Sequence, residues 1–171
     1  MTLSKAVPDT VVIGLGNPLR SDDGVGERAV EALSEQELPP GVEVVDGGTQ
    51  GLGLVNLMAG RRRAIFVDAA DMGRSPGEFV RFTWDEVDLP DEDEPLSIHA
   101  AGLRDALMLA RTLGVLPKEV VVFGVQPASI DWDQSLSPQV EATLPALIET
   151  LQAEIEYSSQ NNERALPTGE P

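Results

Sequence analysis

Short apolar runs alternate with amphipathic segments along this chain, and no other feature constrains the fold as strongly. Four runs rich in β-branched residues cover residues 11–15, 42–45, 64–67 and 120–125. Runs of this length are typical of strands that are buried on both faces of a sheet. A fifth segment, residues 77–83, alternates polar and apolar residues, as a half-exposed edge strand does.

Apolar residues recur at helical spacing between these runs. The helical groups are Val25, Ala29, Ala32 and Leu33, then Leu52, Val55, Leu57 and Met58, then Leu103, Leu107, Ala110 and Leu113, and a final helix from about Pro138 to Ile155. Strands that alternate with helices pair in parallel. We therefore expect a single-domain three-layer α/β sandwich over residues 1–157, with a mostly parallel five-stranded sheet and helices on both faces. Residues 158–171 are expected to form a flexible C-terminal tail.

Composition excludes several classes of protein and site. The chain has no cysteine, so disulfides and thiolate metal sites are excluded, and any metal must bind carboxylate, imidazole or backbone oxygen. No run approaches the roughly 18–20 apolar residues that span a bilayer, and no signal-type apolar block follows Met1. We expect a cytoplasmic protein without membrane insertion, and a monomer.

The charge balance argues against a nucleic-acid partner. A net charge of −17 repels phosphate backbones. The one basic cluster, Arg61 to Arg63, is expected to lie in a solvated loop. Residues 84–95 are dominated by acidic residues and proline, which predicts a solvated, mobile loop or, alternatively, an acidic rim for a basic partner.

Polar residues follow two of the predicted strands. In an open parallel sheet, the loops at the carboxyl ends of strands meet where the strand order reverses. If the second and third strands flank the first on opposite sides, this point lies between the first and third strands. Asn17, Asp22 and Asp23 follow the first strand, and Asp68 ends the third. We expect these carboxylates to face one cleft.

The single histidine, His99, is predicted in the first turn of the third helix, with Ser97 as its N-cap. A helix N-terminus disfavours imidazolium and leaves a neutral ring that can bind metal. Asp23, Asp68 and His99 would suit nickel, zinc or manganese. The alternative is a capped helix, a loop-ordering aspartate and a surface histidine. Asp22 could be the N-cap of the first helix.

At these residues the sequence resembles the hydrogenase maturation endopeptidases, which trim the C-terminal extension from the large subunit of nickel–iron hydrogenases. The matching blocks, in the family's order, are G-L-G-N-P-L-R-S-D-D-G-V-G at 14–26, D-G-G-T-Q-G at 46–51, F-V-D-A-A-D at 66–71, S-I-H-A-A-G-L at 97–103 and V-V-F-G-V-Q-P at 121–127. Together they extend over roughly residues 11–155.

The resemblance implies a single α/β domain and a peptidase whose catalytic and metal-binding trio falls on Asp23, Asp68 and His99. Many family members carry glutamate where this chain has Asp23. Gly16 and Asn17 match the loop that shapes the cleft, and Asp46, Gly47 and Gly48 match a neighbouring loop. Asn17 and these three residues are therefore expected to bind substrate, although a glycine turn that closes a strand explains the second loop equally well.

The resemblance also implies that the partner is the precursor of a hydrogenase large subunit. Asp23, Asp68 and His99 would recognise nickel that is already inserted in that substrate. The protein without substrate therefore need not hold a metal ion. The sequence has no H-E-x-x-H helix and no cysteine nucleophile. Water is the expected nucleophile, with Asp23 or Asp68 as the base.

Two other functions remain as alternatives. One is a non-catalytic adaptor or chaperone that binds a nickel-loaded hydrogenase precursor. The other, more remote, is an esterase like the peptidyl-tRNA hydrolases. The G-L-G-N-P block of this chain resembles the opening of those enzymes. No T-R-H-N block follows in this chain, and its negative charge is unsuited to tRNA.

Overall fold

The computed structural model describes residues 7–87 and 98–165, and the side chains of residues 7–85 and 102–157. The strands are β1 (Thr10–Leu15), β2 (Val42–Gly48), β3 (Arg63–Ala69), β4 (Phe79–Thr83) and β5 (Glu119–Val125). The α-helices are α1 (Val25–Ser34), α2 (Leu54–Met58), α3 (Trp84–Val87), α4 (Ile98–Thr112) and α5 (Pro138–Ala165). Short 3₁₀ helices, Ser21–Gly24 and Gly51–Gly53, precede α1 and α2.

The five strands form one sheet in the order β2-β1-β3-β5-β4. β1 pairs in parallel with β2 and β3, and β3 pairs in parallel with β5. Only the edge strand β4 is antiparallel, paired with β5. The predicted mostly parallel five-stranded sheet is confirmed, and so is the reversal of strand order between β1 and β3.

Helices cover both faces of the sheet, because successive side chains of the buried strands point to opposite faces. On β3, Phe66 joins the core cluster formed with α2 and α4, whereas Ile65 joins the cluster formed with α1 and α5. Both residues are fully buried. The fold is thus the expected three-layer α/β sandwich.

Two helical groups extend less far than the spacing predicts. Leu52 lies in the 3₁₀ turn before α2 and is 57% exposed, and Leu113 follows the end of α4 and is 59% exposed. The second strand is only half-buried, because β2 is the edge of the sheet rather than an interior strand.

Two other segments contain helix where the sequence pattern predicts none. Trp84 begins the short helix α3 and is buried, so the acidic segment does not start as a solvated loop; residues 88–97, which include Ser97, lie outside the described residues. The last helix continues past the expected end near Ile155 to Ala165, because residues 156–165 contain no glycine or proline that would end it. Residues 158–165 are therefore helical in backbone, and residues 166–171 are outside the described range.

The basic cluster is paired rather than solvated. Arg61 pairs with Glu43, Arg62 Nε lies 2.9 Å from Asp9 Oδ2, and Arg63 is buried at the start of β3. In the part of the chain that the structure describes, no helix is both long enough and apolar enough to cross a membrane.

Candidate active site

The carboxyl ends of β1, β2 and β3 lie side by side. Gly14 of β1 is in register with Asp46 of β2 on one side and with Val67 of β3 on the other. The loops that leave these strands therefore start from neighbouring positions on one edge of the sheet, which we call the carboxyl edge. Apart from His99, which lies on α4, the residues predicted to form the site belong to these loops and strand ends.

Asp23 is completely buried in the 3₁₀ turn between β1 and α1. Its Oδ2 accepts a hydrogen bond from the backbone N–H of Asn17, at 2.9 Å. Gly16, at φ +111°, passes so close that a Cβ there would lie 1.8 Å from the carbonyl oxygen of Asp23 and 3.4 Å from its Oδ1. Only glycine fits this contact, so the backbone of residues 16 and 17 fixes the position of the carboxylate.

Asp68 reaches the same region from β3. It pairs in register with Gly124 of β5, and it is only 4% exposed. Its side chain lines a cavity of about 100 Å³ that it shares with Leu15, Gly16, Gly48, Thr49, Gly51, Leu54, Gly102 and Leu103. Gly16, which packs against Asp23, also lines this cavity, whereas the fully buried Asp23 does not. That the two carboxylates share one cleft stays a prediction.

His99 lies in the first turn of α4, as predicted, but its side chain is outside the described residues. Gly102 and Leu103 lie about one helical turn later, and both line the cavity with Asp68. The start of α4 thus lies beside Asp68. Among the described side chains, no group of three or more histidine, cysteine, aspartate or glutamate residues could hold a metal ion. The Asp23, Asp68 and His99 trio therefore stays a prediction.

The four residues predicted to bind substrate take different positions. Asn17 Oδ1 accepts a hydrogen bond from Leu19 N at 3.0 Å, and Asp46 Oδ1 accepts one from Gly48 N at 2.9 Å, so both side chains order their own turns. Gly47 is buried against β1, where a Cβ would lie 2.6 Å from Ile13 Cγ2. Gly48 alone of the four lines the cavity.

Asp22 is not the N-cap of α1. The N-cap position is Gly24, with no side-chain cap hydrogen bond. The buried Asp22 carboxylate instead accepts hydrogen bonds from the loop after β5: from Ala128 N at 2.7 Å, Ser129 N at 3.1 Å, Ser137 N at 2.6 Å and Ser137 Oγ at 2.8 Å. These donors lie more than 100 residues away in sequence, so local capping rules could not reveal them.

The carboxyl edge is strongly acidic. Burial, followed by the negative charges of Asp46 and Glu31, raises the pKa of Glu27 above its ordinary value. Burial is the larger cause; the contribution of Asp46 comes from the end of β2, while Glu27 lies on α1. A cationic partner would relieve the repulsion.

Sequence reasoning assigned no role to Gln126, although the residue lies in one of the matching blocks. Its buried Oε1 accepts hydrogen bonds from Met72 N at 2.7 Å and Arg74 N at 3.2 Å, and its Nε2 donates to Asp71 Oδ1 at 3.1 Å. Gln126 therefore fixes the loop after β3. Only its burial in an apolar strand end, which the sequence does not display, distinguishes it from a surface glutamine.

A second cavity touches Asp68 from the β5 side. It measures about 40 Å³, and its walls are mainly apolar: Ala69, Ala70, Phe82, Trp84, Leu103, Leu107 and Val122. The Asp68 carboxylate therefore lies between the cavity that Gly16 and Gly48 line and an apolar recess. Such an arrangement can place a reacting group beside an apolar side chain of a ligand.

Comparison with known proteins gives a consistent result. A family model described as hydrogenase maturation protease matches residues 27–154. The hydrogenase 2 maturation protease of Escherichia coli K12 is 38% identical over 146 residues, which cover 84% of this chain and 88% of that protein. The hydrogenase expression/formation protein HupD of Thiocapsa roseopersicina is 37% identical, over 90% of this chain and 69% of its own length.

Solved structures agree with these sequence matches. The hydrogenase maturating endopeptidase HybD from Escherichia coli superposes with a TM-score of 0.78 at 35% identity, covering 87% of this chain and 93% of that one. The [NiFe] hydrogenase maturation protease HybD from Thermococcus kodakarensis gives a TM-score of 0.72 at 29% identity, over 85% of this chain and 98% of that one.

Proposed function

This chain belongs to the hydrogenase maturation proteases, and we propose that it removes the C-terminal extension of a nickel–iron hydrogenase large-subunit precursor after nickel insertion. Members of the family are peptide-bond hydrolases. The observation that carries the proposal is that the buried Asp68 lines a cavity together with the start of α4 and with Gly16, which packs against the buried Asp23.

The substrate is recognised through the nickel that it carries. Asp23, Asp68 and His99 would supply two carboxylate oxygens and one imidazole nitrogen, a donor set suited to a borderline divalent ion. Nickel bound in the substrate supplies a recognition determinant and can polarise the scissile carbonyl. After burial, the negative charges of Asp46 and Glu31 contribute to the raised pKa of Glu27 near this edge, and a cation would offset those charges.

The protein's own contribution to hydrolysis is proton transfer and positioning. The chain has no cysteine, and its single histidine is assigned to the nickel, so water is the nucleophile. A carboxylate of Asp23 or Asp68 takes the proton of that water. The loop that contains Asp46, Gly47 and Gly48 would guide the peptide, since Gly48 lines the cavity. Asn17 holds the Asp23 carboxylate through its backbone N–H.

The test is incubation with nickel-loaded large-subunit precursor, followed by intact-mass measurement. We expect the wild-type protein to shorten the precursor at its C-terminus and Asp68→Asn to leave it intact. Asp105→Asn is the matched control, because it removes the same charge from an exposed position on α4 and should process normally. Stable co-elution with the precursor without loss of mass would contradict the peptidase and support an adaptor.

A further inference from the structure

The loop after β1 and the loop after β5 are joined by an extensive set of hydrogen bonds. Ser21 N donates to Asp133 O at 2.6 Å, Asp133 N donates to Leu19 O at 3.1 Å, and Arg20 Nε donates to Ile130 O at 3.1 Å. The buried Asp22 carboxylate anchors the same two loops. They therefore form one ordered surface at the carboxyl edge.

Backbone strain marks the centre of this surface. Ser21 has φ +49°, and no other non-glycine residue in the described ranges has a positive φ. Such conformations cost free energy, and they persist where surrounding contacts hold them. Here the hydrogen bonds of Ser21 to the 133–135 segment hold the turn, including the one from Ser21 Oγ to Ser135 O at 3.0 Å.

Residues of these two loops form an exposed patch. We define the Trp132 patch as Leu19, Arg20 and Trp132. Trp132 is 76% exposed and Leu19 is 49% exposed, and the Arg20 guanidinium carbon lies 5.6 Å from the centre of the Trp132 ring. The contact with Arg20 orders the indole without burying it. An ordered, exposed tryptophan beside an arginine is typical of binding hot spots.

Two residues of the patch belong to the same loop as Asn17 and Asp23. Leu19 and Arg20 lie between Asn17 and Asp23 in sequence, and Asn17 N holds the Asp23 carboxylate. Of the exposed large apolar residues, Leu52 also lies at the carboxyl edge, in the 3₁₀ turn whose Gly51 lines the cavity.

We infer that the Trp132 patch binds the folded body of the hydrogenase large-subunit precursor and determines affinity for it, separately from the reaction at Asp23 and Asp68. This inference rests on the proposed function. The occupant is a protein surface with an apolar pocket for the indole. The aspartates around the patch, Asp131 and Asp133, favour a partner whose surrounding surface is basic.

The test separates affinity from chemistry with the variant Trp132→Ala. Its Kd for nickel-loaded precursor should rise at least roughly tenfold, as for a hot-spot tryptophan. In processing assays its KM should rise similarly, with kcat unchanged at saturating precursor. Trp132→Phe should recover part of the affinity. Thermal stability should stay at the wild-type value, because the indole is mostly exposed.

Tyr157→Ala is the matched control. Tyr157 is an aromatic residue exposed to a similar extent, 67%, on α5. It lies near Glu154, whose carbonyl accepts a hydrogen bond from Arg63 at the start of β3, so it belongs to the opposite edge of the sheet. This variant should bind and process the precursor as the wild type does.

Each outcome decides the inference independently of the proposed function. Wild-type affinity in Trp132→Ala, or a lower kcat with unchanged Kd, would overturn the inference while precursor shortening by the wild type upheld the function. If the wild type binds but does not shorten the precursor, and Trp132→Ala weakens that binding, the inference stands and the peptidase proposal fails. No binding by the wild type would overturn both.

Discussion

Asp22 and Asp23 are adjacent in sequence and equally buried, yet their surroundings differ. Asp22 accepts hydrogen bonds from Ala128, Ser129 and Ser137, and so connects the loop after β5 to the turn before α1. Asp23 faces Gly16 and accepts a hydrogen bond from Asn17 N. We interpret the first aspartate as structural and the second as part of the active site.

Substitution of each aspartate tests this division. Asp22→Ala leaves buried donors without an acceptor, which should cost about 3 kcal/mol of unfolding free energy and lower Tm by roughly 6–12 °C. Asp23→Asn keeps an oxygen that can accept from Asn17 N, so Tm should change little while precursor processing is lost. Differential scanning calorimetry and the intact-mass assay measure the two effects. A stable Asp22→Ala protein, or an active Asp23→Asn protein, would refute the assignment.

At the scale of elements, an ion-pair cluster joins α5 to β3 and β4 at the edge opposite the active site. Glu154 of α5 pairs with Arg63 of β3, and its Oε2 lies 2.8 Å from Arg81 Nε of β4. Burial raises the pKa of Glu154, but hydrogen bonds and charge from Arg81 and Arg63 outweigh burial and hold the pKa below its ordinary value. The cluster therefore favours the ionised carboxylate.

The pKa shift predicts a pH dependence of stability. A carboxylate whose pKa is lowered by folding stabilises the protein above its unfolded-state pKa, about 4.5, and this contribution disappears as pH falls through the folded-state pKa. Glu154→Gln should therefore lower Tm by several degrees at pH 7, and the difference from the wild type should shrink below about pH 4.5. Thermal melts across pH 3–7 measure this difference. A gap that is independent of pH would contradict the electrostatic origin.

Elements whose apolar residues form a local pattern were predictable from the sequence. The runs that became β1, β3 and β5 indicated buried strands, and the spacing of Val25, Ala29 and Leu33 indicated α1. Contacts between distant segments were not predictable in this way. The bonds from Ser137 to Asp22 and the pairing of Arg63 with Glu154 depend on the three-dimensional arrangement. The sequence pattern therefore offers a helix cap as one role for Asp22 and predicts a solvated loop for Arg63.

For the whole molecule, the net charge of −17 governs encounter with a partner. Opposite charges on two proteins accelerate their association. Salt weakens this attraction, and at 0.1 M it largely screens charges that are more than about 10 Å apart. We expect the association rate constant with nickel-loaded precursor to fall roughly tenfold between 50 and 500 mM salt, with a smaller change in dissociation. Stopped-flow fluorescence measures both rates. An association rate that rises with salt would show that the two surfaces repel each other.

The site was partly predictable at this scale. Parallel-sheet topology was sufficient to expect Asp23 and Asp68 at one cleft, because both follow strands that end at the same edge. Topology did not reveal their deep burial, which results from the close passage of Gly16 and the packing of β3 inside the sheet. Trp132 gave no signal, because a lone tryptophan in a loop has no periodic pattern that reports exposure.

Metal coordination by the Asp23, Asp68 and His99 trio is the central claim, and a crystal structure of the protein soaked with nickel or cadmium tests it most directly. Anomalous scattering should locate one ion at the carboxyl edge, coordinated directly by both carboxylates and by the imidazole. An ion bound elsewhere, or a His99 side chain turned away from the two aspartates with the metal present, would contradict the account.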